Sequence, residues 1–156
     1  MAYLKEIIMI ILKDKKVLSA VAAIVVVLMA CSDSLWNDLP APISQFITTY
    51  YPNTAIAQYS DDGNQYRVVV KNGPVMTFDS EYKWTMVDGN GVPLPVIFVY
   101  NEMPDVYQFL LARDETGTVM KAVNSPRAIY ITLTDRNLEY IKETGQIRPY
   151  IPDSKL

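Results

Sequence analysis

One residue in this 156-residue chain has a type and setting that assign it chemistry: Cys31, the single cysteine. A lone cysteine can form neither an intramolecular disulfide nor a cysteine-rich zinc site. Its use is as a thiolate nucleophile, which is reactive at neutral pH where hydroxyls are not. The chain has no histidine, which removes the commonest general base, metal ligand and pH switch together. Two carboxylate pairs, Asp61-Asp62 and Asp79 with Glu81, have the residue types for acid–base work. Both lie in turn-rich sequence, where Asp is favoured because it bonds its own backbone two residues on. Asp61-Asp62-Gly63-Asn64 is too short for a calcium loop and lacks its terminal Glu. The sequence contains no phosphate-cradling glycine loop, nucleophile elbow or zinc motif. The expectation is a non-enzyme, with no catalytic residue, no metal ligand and no cofactor.

What precedes Cys31 sets its role. Residues 17–30 form an apolar run broken only by Ser19, behind the basic cluster Lys13, Lys15 and Lys16. A basic segment followed by a run this short suits a signal peptide better than a membrane-spanning anchor with an incidental cysteine. Leu28-Met29-Ala30-Cys31 resembles the bacterial lipobox, with Met29 departing from the usual residue at its position. That resemblance implies a diacylglyceryl group on the Cys31 thiol and cleavage before it, so that residues 1–30 are a lipoprotein signal peptide. Residues 4–12 are also apolar apart from Lys5 and Glu6, which offers Met9 as an alternative start to Met1. The expected location is the bacterial cell envelope, lipid-anchored at the outer membrane or periplasmic face, with the membrane held through Cys31.

Half the residues are apolar, enough for a sizeable core in one ordinary domain or two very small ones. The net charge is −3 for the whole chain, and without residues 1–30 ten basic residues face fifteen acidic ones. An acidic domain is a poor nucleic-acid binder, because phosphate recognition needs a basic footprint.

Residues 31–38 read as a polar tether, which lets a domain stand off the membrane. Ile43, Phe46, Ile47 and Tyr50 then fall at helical spacing and predict a helix over 41–51, entered through Pro40 and Pro42 and stopped at Pro52. Strands are predicted at 55–60, 66–71, 75–78 and 82–87, separated by turn signals that include Asn72-Gly73. Leu94-Pro95 matches Leu39-Pro40. Asp135, Tyr140 and Gly145 each follow Asp79, Trp84 and Gly89 by 56 residues. This spacing suggests a second copy of the unit. It has a helix near 93–102 and strands at 106–113, 119–123, 128–133 and 138–142, with an irregular tail over 148–156.

Leu39-Pro40 with Ile43, Phe46 and Ile47, then Tyr51-Pro52-Asn53, Tyr66-Arg67-Val68, Asn72-Gly73, Phe78-Asp79 and Trp84, resembles the PepSY-like domain family. That family is also described as beta-lactamase-inhibitor-like, and its members are commonly small exported lipoproteins or periplasmic proteins. The resemblance covers residues 39–90 and is fainter over 92–147. It implies an α+β fold of two tandem units at 39–91 and 92–147, each a helix packed on a four-stranded antiparallel sheet. It carries no catalytic residue, and an inhibitory activity does not follow from a fold.

Strand alternation assigns Tyr66, Val68, Val70, Met76, Phe78, Trp84 and Met86 to the helix-facing side of the first unit. Arg67, Val69, Lys71, Val75, Thr77, Lys83, Thr85 and Val87 fall on the opposite side. Of these, Arg67, Val69, Lys71, Thr77, Lys83 and Thr85 are the candidate partner-binding residues. In the second unit the 56-residue spacing puts Ile129, Ile131 and Leu133 outside, so either that register is off by one or the outer face there is apolar and buried. Tyr59, Tyr107, Tyr130, Tyr150 and Trp36 are further interface candidates, since an aromatic with a polar tip anchors interfaces well. The function expected is non-catalytic binding of an envelope protein or peptide, as an inhibitor or an accessory of an envelope complex. The alternative is an envelope protein that binds a small ligand between the two units.

Overall fold

The computed structural model describes residues 35–151. The signal peptide, Cys31, residues 31–34 of the tether and residues 152–156 lie outside the described residues. Residues 35–38, the end of the expected tether, are helical and belong to a unit distinct from the one that begins at Leu39.

That second unit opens with α1 (Ala41–Tyr50), preceded by Pro40 and followed by Tyr51 at φ −136° before Pro52. Proline suits the first turn because its missing N–H would have no partner there, and the residue before a proline is pushed out of the helical region. Ile43, Ile47 and Tyr50 are its buried stripe. Four strands follow: β1 (Ile56–Asp61), β2 (Gln65–Val70), β3 (Val75–Asp79) and β4 (Trp84–Asp88). Two short helices, α2 (Val96–Glu102) and α3 (Pro104–Leu111), lead to β5 (Val119–Asn124), β6 (Ala128–Leu133), β7 (Asn137–Ile141) and β8 (Gln146–Pro149).

All eight strands form one antiparallel sheet in sequence order. The expected fold, two tandem units with a four-stranded sheet each, is therefore wrong. The protein is mostly β, and the boundary at 91/92 falls inside a loop of a single sheet. Pairing of β4 with β5 makes the difference, through Met86 with Val123, Val87 with Ala122, and Asp88 with Lys121. Two separate sheets would leave both of those strands as edges with unsatisfied backbone groups.

One row of side chains crosses the entire sheet on the helix-covered side: Tyr59, Val68, Met76, Val87, Ala122, Ile131, Leu138 and Pro149 are successive cross-strand partners. Its six middle members are buried, and with Phe78, Phe98, Ile43 and Ile47 they make the core. A β-bulge sets this row. Thr77 pairs with Met86 and Phe78 with Trp84, so Thr85 is an extra residue on β4. Beyond a bulge the alternation changes phase. Val87, expected outside, is buried, and Met86, expected inside, lies with Thr77 on the other side.

The segment 106–113, expected as a strand, is instead mostly α3. Val106 and Leu110 are buried four residues apart, and Pro104 and Asp105 stand in its first turn. With α3 in place, buried positions recur at a constant spacing. Ile43 and Val106, Ile47 and Leu110, Ile56 and Val119, Val68 and Ile131, and Val70 and Leu133 are each 63 residues apart. The 56-residue spacing was off by an odd number, which inverts faces in a strand. Ile129, Ile131 and Leu133 accordingly face the helices and are buried. The helix expected near 93–102 is α2, which lies between the recurring elements rather than within the recurrence. β8 replaces the start of the expected irregular tail, pairing with β7 from Ile141–Gln146 to Leu138–Pro149.

The link between the halves is tight. Gly89 N donates to Met120 O at 2.9 Å and Leu94 N to Val119 O at 2.7 Å. A Cβ on Gly89 would stand 1.8 Å from Val92 O, so only glycine fits where the chain folds back on itself.

Candidate functional site

The face of the sheet opposite the helices carries a second row through all eight strands. Ser60, Arg67, Thr77, Met86, Val123, Tyr130, Glu139 and Arg148 are successive cross-strand partners. Beside it run Gln58, Val69, Val75, Asp88, Lys121, Thr132 and Asn137. The middle of this surface is half-buried and largely apolar (Val69, Val75, Met86, Val123, Tyr130), and its flanks are charged. Tyr130 packs against Tyr150, ring centroids 4.8 Å apart. Lys121 pairs with Asp88 at 3.0 Å, and Arg148 with Glu139 at 2.7 Å. A solvated antiparallel face is normally polar along its whole length. An apolar centre inside a charged rim is instead the anatomy of a recognition surface.

Four of the six predicted binding residues meet here. Arg67 is exposed and Val69 half-buried on β2, while Thr77 and Thr85 join hydroxyls at 2.8 Å across the bulge. The remaining two do not belong to the face. Lys71 follows β2 in a hairpin turn, its N–H donating to Ala55 O. Lys83 precedes β4 at the other end of the sheet, paired with Glu81 at 2.6 Å and lining a cleft on the helix side. Sequence reasoning missed Met86 and Val123 as members of the face. For Val123 the signal lay in the β5 pattern, once the seam with β4 is known. Met86 had no local signal, because the bulge depends on how β3 and β4 pair.

The acidic pairs serve as turn builders. Asp61 Oδ1 accepts from Gly63 N, and Asp62 Oδ1 from Asn64 N and Gln65 N, which holds the Asp62 carboxyl below its usual range. Asp79 Oδ1 accepts from Glu81 N and Lys83 N. Among the described residues no three acidic side chains converge on a point.

On the helix side a carboxylate ties the halves together. Glu102 of α2 accepts the Tyr50 hydroxyl at 2.5 Å and Trp84 Nε1 at 2.8 Å. Phe98 packs edge-on against Phe46, Tyr50 and Trp84 around it. Burial, then the Glu102 hydrogen bond, pushes the Tyr50 phenol up to about 12. Next to this cluster is a cleft of about 370 Å³ lined by Phe46, Tyr82, Lys83, Trp84, Glu102 and Asn124. Tyr82 holds φ +63°, a left-handed conformation that costs a bulky side chain on the order of 1 kcal/mol. Its ring packs against Tyr66 at 5.1 Å, and the hydrogen bond between the two hydroxyls raises the Tyr66 phenol to about 12. A second cleft, of about 310 Å³, lies at the opposite end of the sheet among Tyr51, Thr54, Lys71, Gly73 and Val92. The Tyr51 hydroxyl is buried there with no hydrogen-bond partner among the described residues, and burial raises its pKa.

With this geometry the chain can be compared with known proteins. No protein-family model matches it, and no curated protein does. Solved structures share its fold, among them three bacterial proteins. One, from Bacteroides vulgatus, is described as a candidate periplasmic protein of the DUF2874 family; at 19% identity and TM-score 0.62 the match covers 72% of this chain and 90% of that one. A second, from Bacteroides thetaiotaomicron, is described as a candidate calcium-regulated periplasmic protein, with 21% identity, TM-score 0.59, and 72% and 92% of the two chains covered. A third, again from Bacteroides vulgatus, is described as a candidate periplasmic protein of unknown function, at 18% identity and TM-score 0.59 over 72% and 93%. At such identities the likeness concerns the fold.

Proposed function

We propose that this chain is a lipid-anchored protein of the bacterial cell envelope. In this reading it binds a protein or peptide partner on the open face of its sheet without catalysing a reaction. The observation that carries this reading is the row Thr77, Met86, Val123 and Tyr130, an apolar centre formed only because β4 pairs with β5. Arg67 on one side and the Glu139–Arg148 pair on the other supply a charged rim that selects among partners. The envelope location draws support from the leader, from the motif ending at Cys31, and from the periplasmic descriptions of three proteins with a similar fold. The PepSY-like resemblance of residues 39–90 belongs to the same reading.

Two experiments test it. Metabolic labelling with palmitate in the native host is expected to mark the wild type and not Cys31→Ser; label on both, or on neither, removes the anchor. Site-specific photocrosslinking from Val123 in the full-length chain is expected to yield one discrete envelope adduct, lost in Tyr130→Glu with the fold retained in circular dichroism. An adduct that persists in Tyr130→Glu would falsify the sheet-face reading.

A further inference from the structure

We infer that the helix-side cleft around Tyr82 is a binding site for a neutral saccharide, distinct from the open face of the sheet. The first observation is conformational. Tyr82, two residues before β4 begins, and Gly145, directly before β8, both lie in hairpin loops, at φ +63° and φ +70°. They are also 63 residues apart, the spacing at which buried positions recur. Glycine adopts this conformation without strain, whereas a bulky aromatic does not. A turn has no need of tyrosine there, and the residue is 37% exposed, its ring packing on the half-buried Tyr66 rather than in the core. Strain retained at an exposed aromatic in a cleft wall points to a ligand contact.

The second observation is the lining. Phe46, Tyr82 and Trp84 supply aromatic surface, and Lys83, Glu102 and Asn124 supply polar groups. Aromatic faces beside convergent polar groups are features that small-molecule sites share. Each polar group is held in place yet keeps capacity. Glu102 has one lone pair free on each oxygen after accepting Tyr50 and Trp84. Asn124 donates through Nδ2 to Trp84 O at 3.1 Å and accepts Lys142 Nζ on Oδ1 at 2.6 Å, which leaves one N–H and one lone pair. Lys83 gives one of its three protons to Glu81.

Charge and shape then select the ligand class. The residues lining the cleft carry one cation, Lys83, and one carboxylate, Glu102, so the wall itself offers no net charge to reward an ion. Aromatic walls favour a ligand with an apolar face, and a fixed carboxylate beside a fixed amide suits neighbouring hydroxyls that both donate and accept. A pyranose ring combines these features, with C–H groups on its faces and hydroxyls around its rim.

The test is titration of the full-length lipidated chain, in a detergent without sugar groups. The probes are D-glucose, D-galactose, D-mannose, N-acetyl-D-glucosamine and its linear trimer, followed by Trp84 emission in a Trp36→Phe background and by calorimetry on the wild type. At least one probe is expected to saturate in both readouts. Tyr82→Gly is expected to weaken that probe roughly tenfold or more with the fold retained in circular dichroism, because the substitution removes a stacking wall. Tyr130→Glu on the open face is expected to leave the titration unchanged, which separates this site from the proposed partner surface. No saturation by any probe up to about 50 mM, a concentration covering weak millimolar binding, overturns the inference. So does wild-type affinity in Tyr82→Gly.

Discussion

Met86 and Val123 are cross-strand partners at the seam between β4 and β5, and both lie on the open face of the sheet. This pair joins two hairpin arrays into one structure, and with Thr77 and Tyr130 it forms the middle of the candidate binding surface. A continuous sheet under one buried row should unfold as one cooperative unit. Hydrogen exchange is expected to give the β4 and β5 amides at the seam the same opening free energy as β2 and β6. Separate opening of the halves, or two transitions in urea, would contradict the single sheet.

Gly89 sits where the link between the halves turns back. A Cβ there would meet Val92 O at 1.8 Å and Met120 O at 3.1 Å, both backbone atoms that cannot rotate away. Gly89→Ala is expected to lower stability by about 2 kcal/mol or more, through backbone displacement and loss of the Gly89–Met120 hydrogen bond. Urea denaturation measures it. A change within about 0.5 kcal/mol, ordinary for a surface substitution, would mean that the link does not constrain the seam.

Glu102 serves two donors at once, the Tyr50 hydroxyl and Trp84 Nε1. Glu102→Leu leaves both without an acceptor in a part-buried setting, at a cost of about 2–4 kcal/mol. Adding Tyr50→Phe should return part of that loss, since one orphaned donor is then gone. A double-mutant cycle in guanidinium checks this; strict additivity of the two substitutions would show that the bond is not energetically coupled.

Tyr50 and Tyr66 both titrate near 12 in the folded chain, raised respectively by burial and by the hydrogen bond to Tyr82. A phenol raised above its unfolded value near 10 stabilises the fold fully below pH 10. It loses that contribution as pH rises through the folded value. Stability is therefore expected to fall between pH 10 and about 12, with a shallower fall in Tyr50→Phe. Melting temperature as a function of pH is the measurement. An equal slope in wild type and Tyr50→Phe would remove Tyr50 from the account.

Gly145 is the converse of Tyr82. Its φ of +70° leaves open space around a built Cβ, so Gly145→Ala meets backbone strain and no clash. A loss of about 1 kcal/mol is expected in thermal denaturation. A neutral outcome would weaken the argument that the left-handed Tyr82 is held against a preference.

By itself the sequence determined whatever depends on neighbours along the chain. The stripe Ile43, Ile47 and Tyr50 made α1 legible, since a buried face repeats every three to four residues. The hairpins around Asp61-Asp62-Gly63-Asn64 and Asn72-Gly73 were legible because turn residues act on their own backbone. Most strands of the second half were placed within a residue or two, at 119–124, 128–133 and 137–141. Tertiary structure decided the rest. Residues 104–111 carry valine and aromatics that suit a strand, and they form a helix because Val106 and Leu110 bury one face against the core. The exchange of Met86 and Val87 between faces comes from a single extra residue in the pairing of β3 with β4, which no property of either strand alone reports. The seam that makes one sheet out of two expected ones is a contact between residues 35 positions apart, Val87 and Ala122, and only folding brings those edges together to satisfy each other's backbone.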